Sequence, residues 1–181
     1  MIRRVGNFFH EPEPRGQLSV GIESDRIQEC VREARRVGAY GVFGHPSFGF
    51  KGKDLSFLAD IDFVKSVWFW DVTLTDVDGI YNLSDLRSFG IHPKRPPVDF
   101  SRLRSLERLV WDFNLKDAGL EQLSRLTLLN IHKLNPKGGD LLHQPERFTV
   151  NLSQGGQRYP CFKLCHILHG LTEIAQVRAE A

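Results

Sequence analysis

Apolar residues in the middle of the chain recur at steps of three, three, three and two. Ile80, Leu83, Leu86, Phe89 and Ile91 form one copy; Phe100, Leu103, Leu106, Leu109 and Trp111 form the next; Leu120, Leu123, Leu126, Leu129 and Ile131 form a third, each starting 20 residues after the last. Leu58, Ile61, Val64, Val67 and Phe69 keep the same internal spacing and precede Ile80 by a 22-residue step. Such a pattern describes a turning approach that drops apolar side chains to one side. It ends in a short strand whose alternate residues face the same way. It predicts parallel strands at 67–69, 89–91, 109–111 and 129–131, with the first and last residue of each buried.

Weaker copies extend the pattern both ways. Val31, Ala34, Val37, Tyr40 and Val42 fit upstream, and Leu168, Leu171, Ile174, Val177 and Ala179 fit downstream. Between them, Leu141, Gln144, Arg147, Val150 and Leu152 fit at only three positions. Further strands are therefore expected at 40–42, 150–152 and 177–179. No single unit can bury its apolar side alone, so the copies must stack, and an exposed end needs a cap. The N-terminus has suitable parts. Val5 to Phe9 and Leu18 to Ile22 read as strands around Glu11-Pro12-Glu13-Pro14-Arg15-Gly16. Ser24 or Asp25 caps a helix that runs to Val37 and stops at Gly38.

The spacing resembles the leucine-rich repeat family, over roughly residues 31 to 181. The stretch Gly49-Phe50-Lys51-Gly52-Lys53-Asp54-Leu55-Ser56-Phe57-Leu58 is similar to the lead-in of small bacterial repeat proteins with irregular repeats. The resemblance implies an α/β fold: a leucine-rich repeat solenoid with a curved parallel sheet and an N-terminal hairpin/helix cap. It would form one domain, with residues 1–37 as the cap and about 38–181 as repeats. The family usually places an Asn a few residues beyond each strand. Here those positions hold Val72, Lys94, Asn114 and Leu134, so only Asn114 matches and the turns on that side are expected to be irregular.

Composition narrows the function. With 24 Lys and Arg against 22 acidic residues the formal charge is +2, which argues against nucleic-acid binding through bulk charge. The densest basic cluster, Arg87, Lys94, Arg95, Arg102, Arg104 and Arg108, is interleaved with Asp85, Asp99 and Glu107, as on a solvated face. No apolar run is long enough to cross a membrane. The three cysteines, Cys30, Cys161 and Cys165, do not form a disulfide framework, and a cytoplasmic location with reduced thiols is expected.

In each predicted strand the residues between and just after the buried pair face the concave surface. They are Gly41 and Phe43, Trp68 and Trp70, Gly90 and His92, Val110 and Asp112, Asn130 and His132, Asn151 and Ser153, and Arg178 and Glu180. Phe43, Trp68 and Trp70 make one end aromatic, either as an interface or beneath the loop around Phe48 and Phe50. His92, Asp112 and His132 follow on successive strands, and Cys161, Cys165, His166 and His169 lie near the C-terminus. Both sets carry metal-ligand side chains, but a line of in-register strands does not converge on a tetrahedral ion, and the C-terminal spacing equally suits core packing. No Ser or Cys nucleophile shares the centre of the histidine column, and no Gly-rich phosphate loop is present. The expected function is a non-enzymatic scaffold without a cofactor. It would present Phe43, Trp68, Trp70, His92, Val110, Asp112, Asn130 and His132 to a protein or peptide partner. The alternative is a metal-binding protein or metal-dependent enzyme using one of the two His-containing sets.

Overall fold

In the computed structural model, which describes residues 1–112, Asn114, residues 116–132 and the segments 148–151, 153–154 and 157–158, the three-residue apolar steps are backbone hydrogen bonds. The Leu83 N–H donates to the Ile80 carbonyl and Leu86 to Leu83. The next copy repeats this with Leu103 to Phe100 and Leu106 to Leu103, and the one after with Leu123 to Leu120 and Leu126 to Leu123. Bonds spanning three residues make a turn of three residues, in which side chains three apart eclipse one another. That geometry puts every third residue on one side, and it explains why the apolar step is three rather than the three-and-four alternation of an α-helix. Short 3-10 segments at Ser56–Ile61, Asp78–Asn82, Phe100–Arg102 and Leu120–Gln122 open these approaches. Three of them start from an acidic side chain that accepts a backbone N–H two residues on: Asp54 from Ser56, Asp76 from Asp78, and Asp99 from Ser101.

Each approach delivers a strand. Among the described residues, nine strands form one open sheet in chain order. They are β1 (Arg3–Val5), β2 (Phe8–Pro12), β3 (Leu18–Gly21), β4 (Gly41–Gly44), β5 (Ser66–Thr73), β6 (Ser88–Lys94), β7 (Arg108–Asp112), β8 (Leu128–His132) and β9 (Phe148–Asn151). β3 through β8 run parallel, so the protein is α/β with a mostly parallel sheet. Val20, Val42, Val67, Phe89, Leu109 and Leu129 are successive cross-strand partners. All six are buried. So is every described position of the four strong apolar copies, and one continuous core lies along this side of the sheet. Full burial of a Leu, Ile or Phe side chain contributes about 1.5–3 kcal/mol.

The N-terminal segment continues this sheet. β2 and β3 pair antiparallel around residues 13–17, β1 pairs antiparallel on the far side of β2, and β3 then pairs in parallel with β4. Helix α1 (Ile27–Val37) packs on the core side with Cys30, Val31 and Ala34 buried. Gly38 ends it in the left-handed conformation, φ 59°, where a residue without Cβ fits. Its start differs from the sequence expectation. A 3-10 turn, Ser24–Arg26, precedes the helix, and the Ser24 hydroxyl accepts the Lys51 N–H at 2.7 Å instead of capping α1. Ser24 is therefore committed to fixing a loop rather than a helix end.

A second difference lies at the other end. The copy expected to give a parallel strand at 150–152 gives β9, which runs antiparallel to β8 with Val150 across from Leu129. Gln144 and Arg147 break the apolar approach of that copy, and an antiparallel return needs no crossover of the kind the other copies make. Beyond it, β10 (Ser153–Gln154) and β11 (Gln157–Arg158) form a separate antiparallel pair. The copy at 168–179 lies outside the described residues.

Candidate functional site

Alternation along the strands places a second set of residues on the sheet face away from the core. One cross-strand row there runs Gly21, Phe43, Trp68, Gly90, Val110 and Asn130. Trp68, Val110 and Asn130 are half-buried, as are Trp70 and His92. These five are partly accessible on strands β5 to β8.

Phe43 does not join them. It is fully buried, so the expectation that it is exposed on the concave surface is corrected. Phe48 stands edge-on over it at 6.1 Å between ring centroids, and Trp70 stacks against it at 5.9 Å. The loop carrying Phe48 is pinned from several directions. The Ser47 N–H donates to His45 Nδ1, the Phe48 and Phe50 N–H groups donate to the His45 carbonyl, and the Ser24 N–H donates to the Gly49 carbonyl. Phe9 of β2 completes the cover, 5.1 Å from Phe48. His45 lies 5.4 Å from Trp70 and has Nε2 3.5 Å from an Asp71 carboxylate oxygen. The ring separations are those of aromatics packed on one another, with no space between faces for a ligand. Phe9 and His45 were not singled out from the sequence. The adjacent Phe8, Phe9 and His10 were the available signal, since on a strand they must alternate between faces.

Trp68 and Trp70 therefore differ. Trp70 is packed within this cluster, whereas the benzo edge of Trp68 extends over Gly90. A Cβ placed on Gly90 would meet Trp68 Cζ3 at 2.4 Å and Cε3 at 2.5 Å. Gly90 is buried because the indole covers it, and Gly41 is buried between Ser19 and Ser66.

The column of His92, Asp112 and His132 is only partly in register. β6 and β7 pair from Ser88–Arg108 to Gly90–Val110 and stop short of His92, while β7 and β8 pair through to Asp112–His132. The neighbouring strand, β5, has two residues where β6 has one between Phe69 and Val72, and Asp71 there takes a left-handed φ of 61°. Asp112 is 7% exposed, so the expectation that it is accessible on the concave surface is also corrected. The row is tight enough at this point to enclose its side chain. For His132 the strand pairing is described and the side chain is not. Among the described residues no group of three or more His, Cys, Asp or Glu is placed to hold a metal ion. The Cys161 to His169 cluster, Asn151 with Ser153, and Arg178 with Glu180 lie outside the residues whose side chains are described.

Four of the six residues of the basic cluster, Arg87, Arg95, Arg102 and Arg104, make contacts within the protein. Arg95, 3% exposed, makes a two-pronged pair with the fully buried Asp117 carboxylate at 2.8 and 2.7 Å. Arg87 and Lys65 pair with Asp85, Arg102 lies 3.7 Å over the Tyr81 ring, and Arg104 donates to the Ser101 carbonyl. No helix among the described residues is long and apolar enough to cross a membrane. Comparison with protein-family models, curated proteins and solved structures gave no match.

Proposed function

We propose that this protein is a non-enzymatic binding scaffold, a leucine-rich-repeat-type solenoid whose concave sheet face takes a protein or peptide partner. The observation that carries this reading is the row of half-buried side chains on consecutive parallel strands: Trp68 and Trp70 on β5, His92 on β6, Val110 on β7 and Asn130 on β8. Aromatic and aliphatic groups there supply burial. The imidazole and amide supply orientation, an arrangement typical of protein interfaces. Strand order and register support the solenoid, since each strand pairs with its neighbours in sequence and the apolar positions align from unit to unit. The 3-10 approaches supply the short return path that such a coil needs.

The partner surface is centred on Trp68, Val110 and Asn130. Phe43 lies beside it on β4, packed against Phe48 and Trp70. The experiment compares affinity capture from the native cell extract for the wild type and for a Val110→Glu/Asn130→Lys variant. Both positions are half-buried on the face opposite the core, so the variant is expected to melt like the wild type and to lose its partners. Retention of the same partners by a folded variant removes this face from consideration.

A further inference from the structure

His10 and Phe9 leave β2 on opposite faces, and each meets a different part of the protein. On the core side His10, across from Val20 and 5% exposed, reaches α1, where its Nε2 lies 3.1 Å from an Oε of Glu33, itself 6% exposed. Glu33 is the acceptor nearest Nε2, which makes no other hydrogen bond. A buried contact of this kind rests on attraction between charges. It is strongest when the imidazole is protonated, and a neutral ring leaves the buried Glu33 carboxylate with a weaker contact on this side. Glu33 remains the anion throughout: Arg36 hydrogen-bonds its two oxygens at 2.7 and 2.8 Å, and this guanidinium first, then the nearby His10 charge, holds the carboxyl below its usual range. Arg3, across from His10 on β1 and exposed to solvent, shares this face, and Arg26, just before α1, lies over the Phe8 ring at 4.8 Å and donates to the Asn7 carbonyl; β3 contributes Val20 there.

On the other side of the strand, Phe9 closes the aromatic cluster. It packs on Phe48, and a Cβ on Gly21 would meet Phe9 Cβ at 2.8 Å and the Phe43 ring at 3.0 Å, so Phe9 and Phe43 meet over Gly21. We propose that His10 and Glu33 form a protonation-controlled latch: with His10 charged, the β1–β2 hairpin is held on α1 and Phe9 covers the Phe43–Phe48 end of the aromatic face; with His10 neutral, the hairpin loosens and uncovers it. Imidazole is the side chain whose ordinary titration falls between about pH 5 and 8. The latch stands whether or not the aromatic face binds a partner.

Hydrogen exchange of the intact chain, read by mass spectrometry at about pH 5.5 and about pH 8 and corrected for intrinsic rates, tests it. Amides of residues 3–12 are expected to exchange several-fold faster at the higher pH, with those of β5 to β7 unchanged. The difference should vanish in His10→Gln and in Glu33→Gln and persist in His45→Gln, which controls for the other histidine of the cluster. Equal protection of the wild-type hairpin at both pH values overturns the latch, as does greater protection at the higher one. A pH difference that survives in His10→Gln, or that disappears only in His45→Gln, also overturns it. Should His10→Gln fail to fold, the wild-type and Glu33→Gln measurements decide.

Discussion

Gly90 is the residue whose absent side chain does most for the exposed face. The space a Cβ would fill is taken by Trp68, and Val110 borders it at 3.2 Å. Gly90→Ala is expected to destabilise the protein by about 1–3 kcal/mol, because a packed row must move to admit a methyl group. Adding Trp68→Ala should recover much of that loss, and melting curves of the two single variants and the double variant give the coupling directly. A second residue-scale expectation concerns the buried Arg95–Asp117 pair, in which one Asp117 oxygen also accepts the Val98 N–H. Asp117→Asn leaves the guanidinium buried without its counter-charge and should cost about 3–5 kcal/mol in chemical denaturation. Neither effect was foreseeable in the pattern of apolar spacing. Gly90 stood out only as a strand residue on the outer face, and Arg95 was grouped with surface cations, because the spacing records which residues face the core and not which polar groups the loops enclose.

At the scale of elements the sequence was most informative where one period is kept. The three-residue steps from Leu58 to Leu126 set the approach turns and the strand register together, since eclipsed side chains and strand alternation leave one way to bury all five positions. It was least informative where function needs detail. Phe43 sits at an outward position by the same alternation and is buried all the same, because Ser24 and His45 fasten a loop that carries Phe48 across it. The family's asparagine position is filled only by Asn114 and does not organise the turns. Three of the four described approaches are opened by Asp54, Asp76 and Asp99, and Asn114 accepts the Lys116 N–H locally. Acidic residues at these bends bring a pH dependence. Hydrogen bonds from Ser56 hold the Asp54 carboxyl below its ordinary range, and bonds from Lys65 and then Arg87 do the same for Asp85. A depressed carboxylate stabilises the fold above its unfolded titration range and loses that contribution as the pH falls through and below it. Melting temperature should therefore decline on the acid side of about pH 4, and Asp85→Asn should make the decline shallower by slightly lowering the neutral-pH value, the two proteins converging in acid.

For the molecule as a whole, contacts run from each strand to the next, so damage to one unit is felt by the two beside it. Leu106→Ala removes a fully buried side chain from the middle of the stack and is expected to cost about 2–5 kcal/mol by thermal or denaturant unfolding. The 20-residue step from Ile80 to Phe100 to Leu120 also fixes how this protein can change in size. A tandem duplication of residues 100–119 adds one full approach and one strand, and every later residue keeps its face. A shift of one residue inside the five-position stretch would turn Leu109 outward and Val110 inward, and the row behind it would follow. Surplus residues are tolerated elsewhere, as the 22-residue step from Leu58 to Ile80 demonstrates by placing its extra length between Phe69 and Ile80. Length in this chain is thus quantised along the stack and free at the turns, and a longer descendant would present a wider surface cut to the same gauge.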